Sequence, residues 1–513
     1  MTPLLIQTFT NWWGVLIPAT FLLIQGFAVL SSLHAIRNVR TSQGAVAWTV
    51  GLLTLPYFVL PAYWILARSR FAGYREAIRS VDRQHRESVG CIERELRTPP
   101  DTRTTSLTTP LEQVADVLDT PMSDNNQFRL LIDGDQFCDA LLEQINSAQH
   151  YVYSEFYIIR DDGFGNRFAD ALIAKAKEGK VVRLLYDEVG CLSLSASYLR
   201  RLNEGGVDAK PFNTRQGWVN RFQLNFRNHR KLLVVDGQMA TMGGLNIGDE
   251  YLGNHGWVTR WRDTSVAIQG NVARKIQAVF AADYYWAERK GLPEAQWQPP
   301  PSNAEVTSSN TPSAASASVD LSPGDSSPPG SGGQAALCAT GPADNRSRAT
   351  MMFAAAANAA TERIWISTPY LVPDDTTLTA LSMARARGVD ARLIIPNTPD
   401  QWLVYLAGYH YEAELKSLGI AVHRYTGGFL HQKCVLVDDN LAMIGSTNLD
   451  NRSLYLNFEM MLAIDDTDFV RQVAEMLTDD FAASSVAGTG GPHLQPWYVR
   501  AGTVIARLFS PIL

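Results

Sequence analysis

Paired cysteines, metal-binding spacings and a basic excess are all missing from this sequence. Its 513 residues hold five cysteines, Cys91, Cys138, Cys191, Cys338 and Cys434, scattered and never at CxxC spacing. That argues against a disulfide framework or a cysteine zinc site, and reads as free thiols facing a reducing compartment. Lysine and arginine number 45 against 51 acidic residues, a net charge of -6, so no global positive field draws the chain onto nucleic acid. Any anionic substrate must therefore be held by local cations. No P-loop or dinucleotide fingerprint stands at a strand-to-helix turn. The acidic pairs Asp161-Asp162, Asp374-Asp375 and Asp465-Asp466 sit in turn-like contexts, so neither a metal nor another cofactor is expected.

Charge is also missing locally. Neither Trp12 to Leu33 nor Gly44 to Ala67 contains a charged residue, and each run is long enough to cross a hydrocarbon core of ~30 Å. Two transmembrane helices are expected within residues 1–70, with Trp12, Trp13, Trp48, Tyr57, Tyr63 and Trp64 as interfacial anchors. A cleaved secretion signal fits poorly, because the first run lacks a basic leader and a second apolar run follows at once. Arg37 and Arg40 lie between the runs, whereas Arg68, Arg70, Arg75, Arg79, Arg83 and Arg86 follow the second. The larger cluster points the rest of the chain into the cytoplasm.

After a connector over 71–125, strand-like and helix-like stretches alternate through 126–297 and again through 348–513, which predicts an α/β fold. Residues 298–347 are dominated by Pro, Ser, Ala, Gly, Thr and Asn, and are expected to be a disordered linker. The C-terminal run WYVRAGTVIARLFSPIL reads equally well as a closing helix of the second half or as an amphipathic helix on a membrane surface.

An internal repeat carries the chemistry. His229 to Asn246 reads HRKLLVVDGQMATMGGLN and His431 to Asn448 reads HQKCVLVDDNLAMIGSTN, with histidine, lysine, aspartate, glycine and asparagine at identical spacing. In H-x-K the two side chains leave one face of an extended chain about 6 to 7 Å apart, within reach of one phosphate. Two facing copies would bracket one phosphorus with His229 and His431, one attacking while the other gives and then takes a proton. Lys231, Lys433, Asn246 and Asn448, with Ser446, would bind the non-bridging oxygens. Asp263 and Glu459, each a short way downstream of a motif, would hold the histidines' other nitrogens. Asp236 and Asp438 could join the catalytic set, yet their place at a turn past a buried strand suits fixing the loop equally well.

These residues resemble the phospholipase D superfamily, whose signature is HxKx4D followed by a GSxN-type turn. The likeness to bacterial cardiolipin synthases extends further, through EFYIIRDDGFGN from Glu155, WRDT from Trp261, TPYLVPDD from Thr368 and GSTNLDNRSLYLNFE from Gly445. It implies two pseudo-repeated phospholipase D-type α/β/α domains facing each other behind two transmembrane helices in the bacterial inner membrane. It also implies transfer of a phosphatidyl group between two phosphatidylglycerol molecules to give cardiolipin and glycerol, without a nucleotide. By that resemblance His229 is the nucleophile and His431 the acid/base, an order the near symmetry of the motifs does not itself fix. The first copy departs from the signature with Gly244 in place of serine. A hydrolytic phospholipase D or a phosphatidylserine synthase-like transferase would use the same motifs. A lipid-binding scaffold would have lost a histidine or lysine, and none is missing.

Overall fold

The computed structural model describes residues 2–39, 41–67, 71, 73–79, 86–97, 108–212, 214, 225–253, 260–293, 297, 332–486 and 496–513. It divides into two compact units, residues 1–73 with 214–226, and residues 74–213 with 227–513.

In the first unit the charge-free N-terminus forms α1 (Thr2–Asn38), of which Leu16–Asn38 is long and apolar enough to cross a membrane. The second expected span is broken in two: α2 (Ser42–Thr54) and α3 (Pro56–Leu66) meet at Leu55. Pro56 is the cause, since its ring disfavours helical geometry at the residue before it, and Leu55 sits at φ -130° and ψ 53°. At 1.5 Å per residue each piece reaches only roughly 17 to 20 Å. One helix of spanning length therefore stands among the described residues where two were expected. The three pack around Ala28, Ala35, Leu52, Leu60 and Tyr63, and Trp64 Nε1 donates to Ser31 Oγ at 3.1 Å. Of the arginines used to orient the chain, Arg40, Arg68, Arg70 and Arg83 lie outside the described residues.

The second unit opens with α4 (Tyr74–Arg79), α5 (Arg86–Leu96) and α6 (Pro110–Val117), then β1 (Met122–Ile132) and α7 (Asp133–Ser147). Next come β2 (Tyr151–Phe156), α8 (Gly163–Lys177), β3 (Val181–Tyr186), α9 (Ala196–Glu204) and β4 (Asp208–Pro211). The first histidine motif falls between β5 (Arg227–Asn228) and the hairpin of β6 (Leu232–Val235) and β7 (Met239–Gly243). Short β8 (Trp261–Arg262), β9 (Thr264–Gly270) and α10 (Val272–Glu288) follow. Every residue of β6 is buried, which is why LLVV follows the lysine.

Beyond residue 331 the elements are β10 (Gly333–Thr340), α11 (Arg348–Ala359), β11 (Arg363–Ser367), β12 (Leu371–Val372), α12 (Asp375–Ala386) and β13 (Asp390–Pro396). Then come α13 (Trp402–Ser417), β14 (Ala421–Tyr425), β15 (Phe429–Leu430), the hairpin of β16 (Cys434–Val437) and β17 (Leu441–Gly445), and β18 (Leu449–Asp450). The chain closes with α14 (Asn451–Tyr455), β19 (Asn457–Asp465), α15 (Thr467–Ala482), β20 (Ser484–Val486) and α16 (Trp497–Leu508).

One sheet runs in the order β20-β14-β13-β11-β16-β17-β19-β10-β1-β9-β7-β6-β2-β3-β4. Its middle is the antiparallel pair β1 and β10. Two apolar clusters pack on it, one built on Phe137, Leu141, Val152, Phe168 and Leu184, the other on Met352, Phe353, Ile366, Leu393 and Val435.

Two expected boundaries need correction. Residues 332–347 are not linker, because Gly333–Thr340 forms a strand bonded to β1 and β19; only residues 298–331 of that stretch lie outside the described residues. The connector also reaches into the second half, where Leu111, Val114 and Ala115 of α6 join the cluster of Met352 and Phe353.

Candidate active site

Each histidine is bonded into the half of the sheet it does not come from. β5 runs parallel to the start of β19, pairing Arg227 with Asn457 and Asn228 with Phe458, and His229 N donates to Phe458 O at 2.9 Å. That register carries the ring to the next β19 residue, Glu459, whose Oε2 lies 2.9 Å from His229 Nδ1. In the same way β15 runs parallel to β8, and His431 N donates to Arg262 O at 2.7 Å. His431 Nδ1 thereby meets Asp263 Oδ2 at 2.6 Å. Both carboxylate side chains are fully buried. Asp263 Oδ1 accepts from Thr264 N at 2.8 Å, and Glu459 Oε1 accepts from Asn457 Nδ2 at 3.0 Å. With Nδ1 donating to a carboxylate, each imidazole keeps its Nε2 lone pair.

Both histidines line one cavity of about 480 Å³. Tyr157 packs on His229 with ring centroids 4.8 Å apart, and Trp261 lies 5.3 Å from His431. Burial lowers both imidazoles to about 4; Lys231 and Lys433 push the same way, against the neighbouring carboxylates. Both imidazoles are therefore neutral near pH 7. Lys231 Nζ donates to His229 O at 2.6 Å, and Lys433 Nζ lies 3.1 Å from His431 Nε2. Burial lowers these ammonium groups as well, Lys231 to about 7 and Lys433 to about 8.

Asn246 and Asn448 also reach the cavity wall. Asn246 is committed on both sides, accepting from Ile158 N at 3.0 Å and donating to Tyr251 OH at 2.9 Å. Asn448 Oδ1 is buried without a hydrogen-bond partner.

Three expected site residues are elsewhere. Asp236 accepts from the backbone N–H groups of Gln149, His150 and Tyr151 at 2.7 to 2.9 Å. Asp438 does the same for Thr361, Glu362 and Arg363. Each stands past the far end of its motif strand, at φ 53° and 50°, and ties that hairpin to the start of the adjoining strand. Neither touches the cavity, and both belong to the framework rather than to the catalytic set. Burial alone would raise Asp438; the backbone donors and Thr361 outweigh it and hold its carboxyl below the usual range.

Ser446 also leaves the phosphate-binding set. Its Oγ lies 3.3 Å from Met460 O and accepts from Met460 N at 3.0 Å, and it helps to hold the Glu459 carboxyl below its usual range. Gly244, its counterpart, has no room for a side chain, since a Cβ there would lie 2.1 Å from Asp263 Oδ1. The shorter carboxylate sits against glycine and the longer one against serine.

Sequence reading missed three cations of the cavity wall, Arg160, Arg227 and Arg452; Arg160, within the EFYIIRDDGFGN stretch, is paired with Glu250. Arg227 is two residues before His229 and Arg452 lies within the quoted GSTNLDNRS stretch, so proximity to the motifs was the available signal. Tyr370 and Asp400, hydrogen-bonded to each other, complete another side of the wall.

A family model described as cardiolipin synthase, PLD-like domain, matches residues 141–284 and 353–481. Cardiolipin synthase A of Pseudomonas fluorescens is 39% identical over 493 residues, 96% of this chain and 97% of that protein. Cardiolipin synthase A of Pseudomonas syringae pv. syringae is 39% identical over 485 residues, 94% of this chain and 95% of its own. Phosphatidylserine synthase of Haemophilus influenzae Rd KW20 shares the fold, with a TM-score of 0.57 at 17% identity over 79% of this chain and 100% of that one. By a match that spans nearly all of its length, the chain belongs to the cardiolipin synthase family of phospholipase D-like proteins.

Proposed function

We propose that the chain makes cardiolipin by moving a phosphatidyl group from one phosphatidylglycerol onto the headgroup hydroxyl of a second, with release of glycerol. The observation that carries this reading is the pair of carboxylate-held histidines sharing one cavity, in a chain so similar to proteins named cardiolipin synthase A.

In the first step Nε2 of His229 attacks phosphorus, a P–N bond forms and the P–O bond to glycerol breaks. His431, protonated once the anionic phosphodiester is beside it, gives its proton to the departing oxygen. In the second step a hydroxyl of the second lipid loses its proton to His431 and attacks phosphorus, and the P–N bond breaks. Lys231, Lys433 and Asn448, with Arg227 and Arg452, stabilise charge on the non-bridging oxygens. Glu459 and Asp263 hold the rings and balance the positive charge each gains.

We read the protein as an inner-membrane enzyme of two pseudo-repeated halves facing each other, with its catalytic unit in the cytoplasm. The strand order supports the repeat: outward from β1 run β9, β7, β6, β2, β3 and β4, and outward from β10 run β19, β17, β16, β11, β13 and β14. α1 is the first crossing, and α2 with α3 is a second, proline-broken one, of a kind tolerated where neighbours satisfy the freed backbone groups. The decisive experiment gives the purified protein labelled phosphatidylglycerol without nucleotide and resolves the products by mass. Cardiolipin with free glycerol is expected. Phosphatidic acid alone would make the chain a hydrolase, and no product would remove the reaction.

A further inference from the structure

The last helix carries its apolar residues on the wrong side for a soluble fold. Ala506 is the residue of α16 that is fully buried, packing with Val372, Val404 and Ala407. At 3.6 residues per turn, Trp497, Val504 and Leu508 lie opposite Ala506, and Ile505 and Tyr498 continue the same arc round one flank of α16. All five are exposed, Trp497 to 78% and Leu508 to 77%. Arg500 and Arg507 lie together on one edge of this arc, and α16 contains no acidic residue. Trp402, 69% exposed, and Leu403 add to it from the start of α13, against which α16 packs.

This surface is continuous with the wall of the histidine cavity. Val404, one residue beyond Leu403, both lines the cavity and packs on Ala506. Gln401 and Leu513 line it too. An apolar arc edged by arginine is the pattern of a helix lying in a bilayer interface, its apolar side sunk about 5 to 10 Å and its cations among anionic headgroups. We propose that the face formed by α16 and the start of α13 docks the catalytic unit onto an anionic lipid bilayer, at the cavity mouth, so that a phospholipid headgroup reaches the histidines while its acyl chains stay in the membrane. The docking stands on this surface alone; the passage of a phospholipid rests on the function proposed above.

The test uses the full chain in nanodiscs containing phosphatidylglycerol, with Cys91→Ser to remove the partly exposed native thiol. A bimane label is placed at Val504→Cys and, as a control, at Asp479→Cys on α15. Lipids brominated along the acyl chain should quench the label at 504 at least threefold more than that at 479, and less so when phosphatidylglycerol is replaced by phosphatidylcholine. Equal quenching at both positions would overturn the proposal. So would a label at 504 shielded from water yet untouched by brominated lipid, the signature of a protein partner or a second copy. In a second arm, Val504→Glu with Leu508→Glu should lower turnover of bilayer phosphatidylglycerol at least tenfold and spare a monomeric short-chain analogue; equal loss on both would also overturn it. Quenching without any cardiolipin formation would retain the docking face and reject only the reaction.

Discussion

Glu459→Gln should slow cardiolipin formation by about 10²- to 10⁴-fold, the range expected when a carboxylate behind a catalytic imidazole becomes an amide. With His229 as the proposed nucleophile, its ring becomes cationic as the P–N bond forms, with Nδ1 2.9 Å from the Glu459 carboxylate. At that separation and an effective dielectric of ~20, the attraction is about 5 to 6 kcal/mol. Losing most of it corresponds to the upper part of that range, at roughly 1.4 kcal/mol per tenfold. Glutamine keeps the size and one acceptor, so the loss should appear in kcat with KM little changed. The assay follows phosphatidylglycerol labelled at phosphorus, quenched in alkali, where a phosphoramidate survives. Glu459→Gln should give almost no labelled protein. Asp263→Asn, which instead weakens His431, the proposed acid/base, should form labelled protein that turns over slowly once the leaving group is a good one. A Glu459→Gln enzyme within threefold of the parent rate, with normal labelling, would refute both the order of roles and the importance of the crossed carboxylates.

Other outcomes follow from the same geometry. Asp438→Ala strands three backbone N–H groups and should lower stability by about 3 kcal/mol or more, seen as a lower thermal midpoint, while turnover per folded molecule stays within a few-fold. Gly244→Ala would bring a Cβ to 2.1 Å from Asp263 Oδ1, displacing that carboxylate from His431 and cutting turnover at least tenfold, about 1.4 kcal/mol; a parental rate would contradict the tight fit. The kcat/KM profile should fall on the acid side as His229, lowered to about 4 by burial, gains a proton. It should fall on the alkaline side as Lys231 and Lys433, lowered to about 7 and 8, lose theirs, and Lys231→Arg should move that limb upward. Burial raises the Asp450 carboxyl to about 6 despite its hydrogen bonds to Ser453. A raised carboxyl costs stability above its folded pKa and regains it as pH falls toward the ordinary value, about 3 kcal/mol in all. Asp450→Asn, still able to cap α14, should therefore raise the thermal midpoint at pH 7.5 and lose that advantage near pH 4.

The motifs were legible because their chemistry is written in short, repeated segments. H-x-K followed by four buried apolar residues specifies an extended start and an interior strand, and both hairpins formed as that pattern requires. What failed was the reading of elements whose character is set by distant partners. GQAALCAT of β10 is made mostly of small residues and follows a Pro/Ser/Gly-rich run, yet it is a strand because β1 and β19 supply hydrogen bonds on both sides. Asp236 and Asp438 share the motif spacing with the histidines, but a residue seven positions away along a strand at ~3.3 Å per residue ends far from where the strand began. Arg452 was marked only by its nearness to the second motif, since it is the fold that brings α14 to the cavity wall.

The crossing of carboxylates explains why the two motifs must come on one folded unit. A first half standing alone would contain His229 but not Glu459, and Asp263 but not His431. Its imidazole Nδ1 would face no carboxylate, and the buried Asp263 would have no imidazole partner to compensate its burial. The short parallel pairings β5 with β19 and β8 with β15 depend on the same partner half, because their backbone bonds are what carry each histidine to its carboxylate. Catalytic competence is therefore tied to assembly of the whole sheet. Weakening the β1–β10 seam, for example by Ala336→Pro in the middle of β10, should abolish activity along with the cooperative unfolding transition, leaving no half-active species; a variant that kept a folded first half and measurable turnover would show that the site needs less of the partner half than these pairings imply.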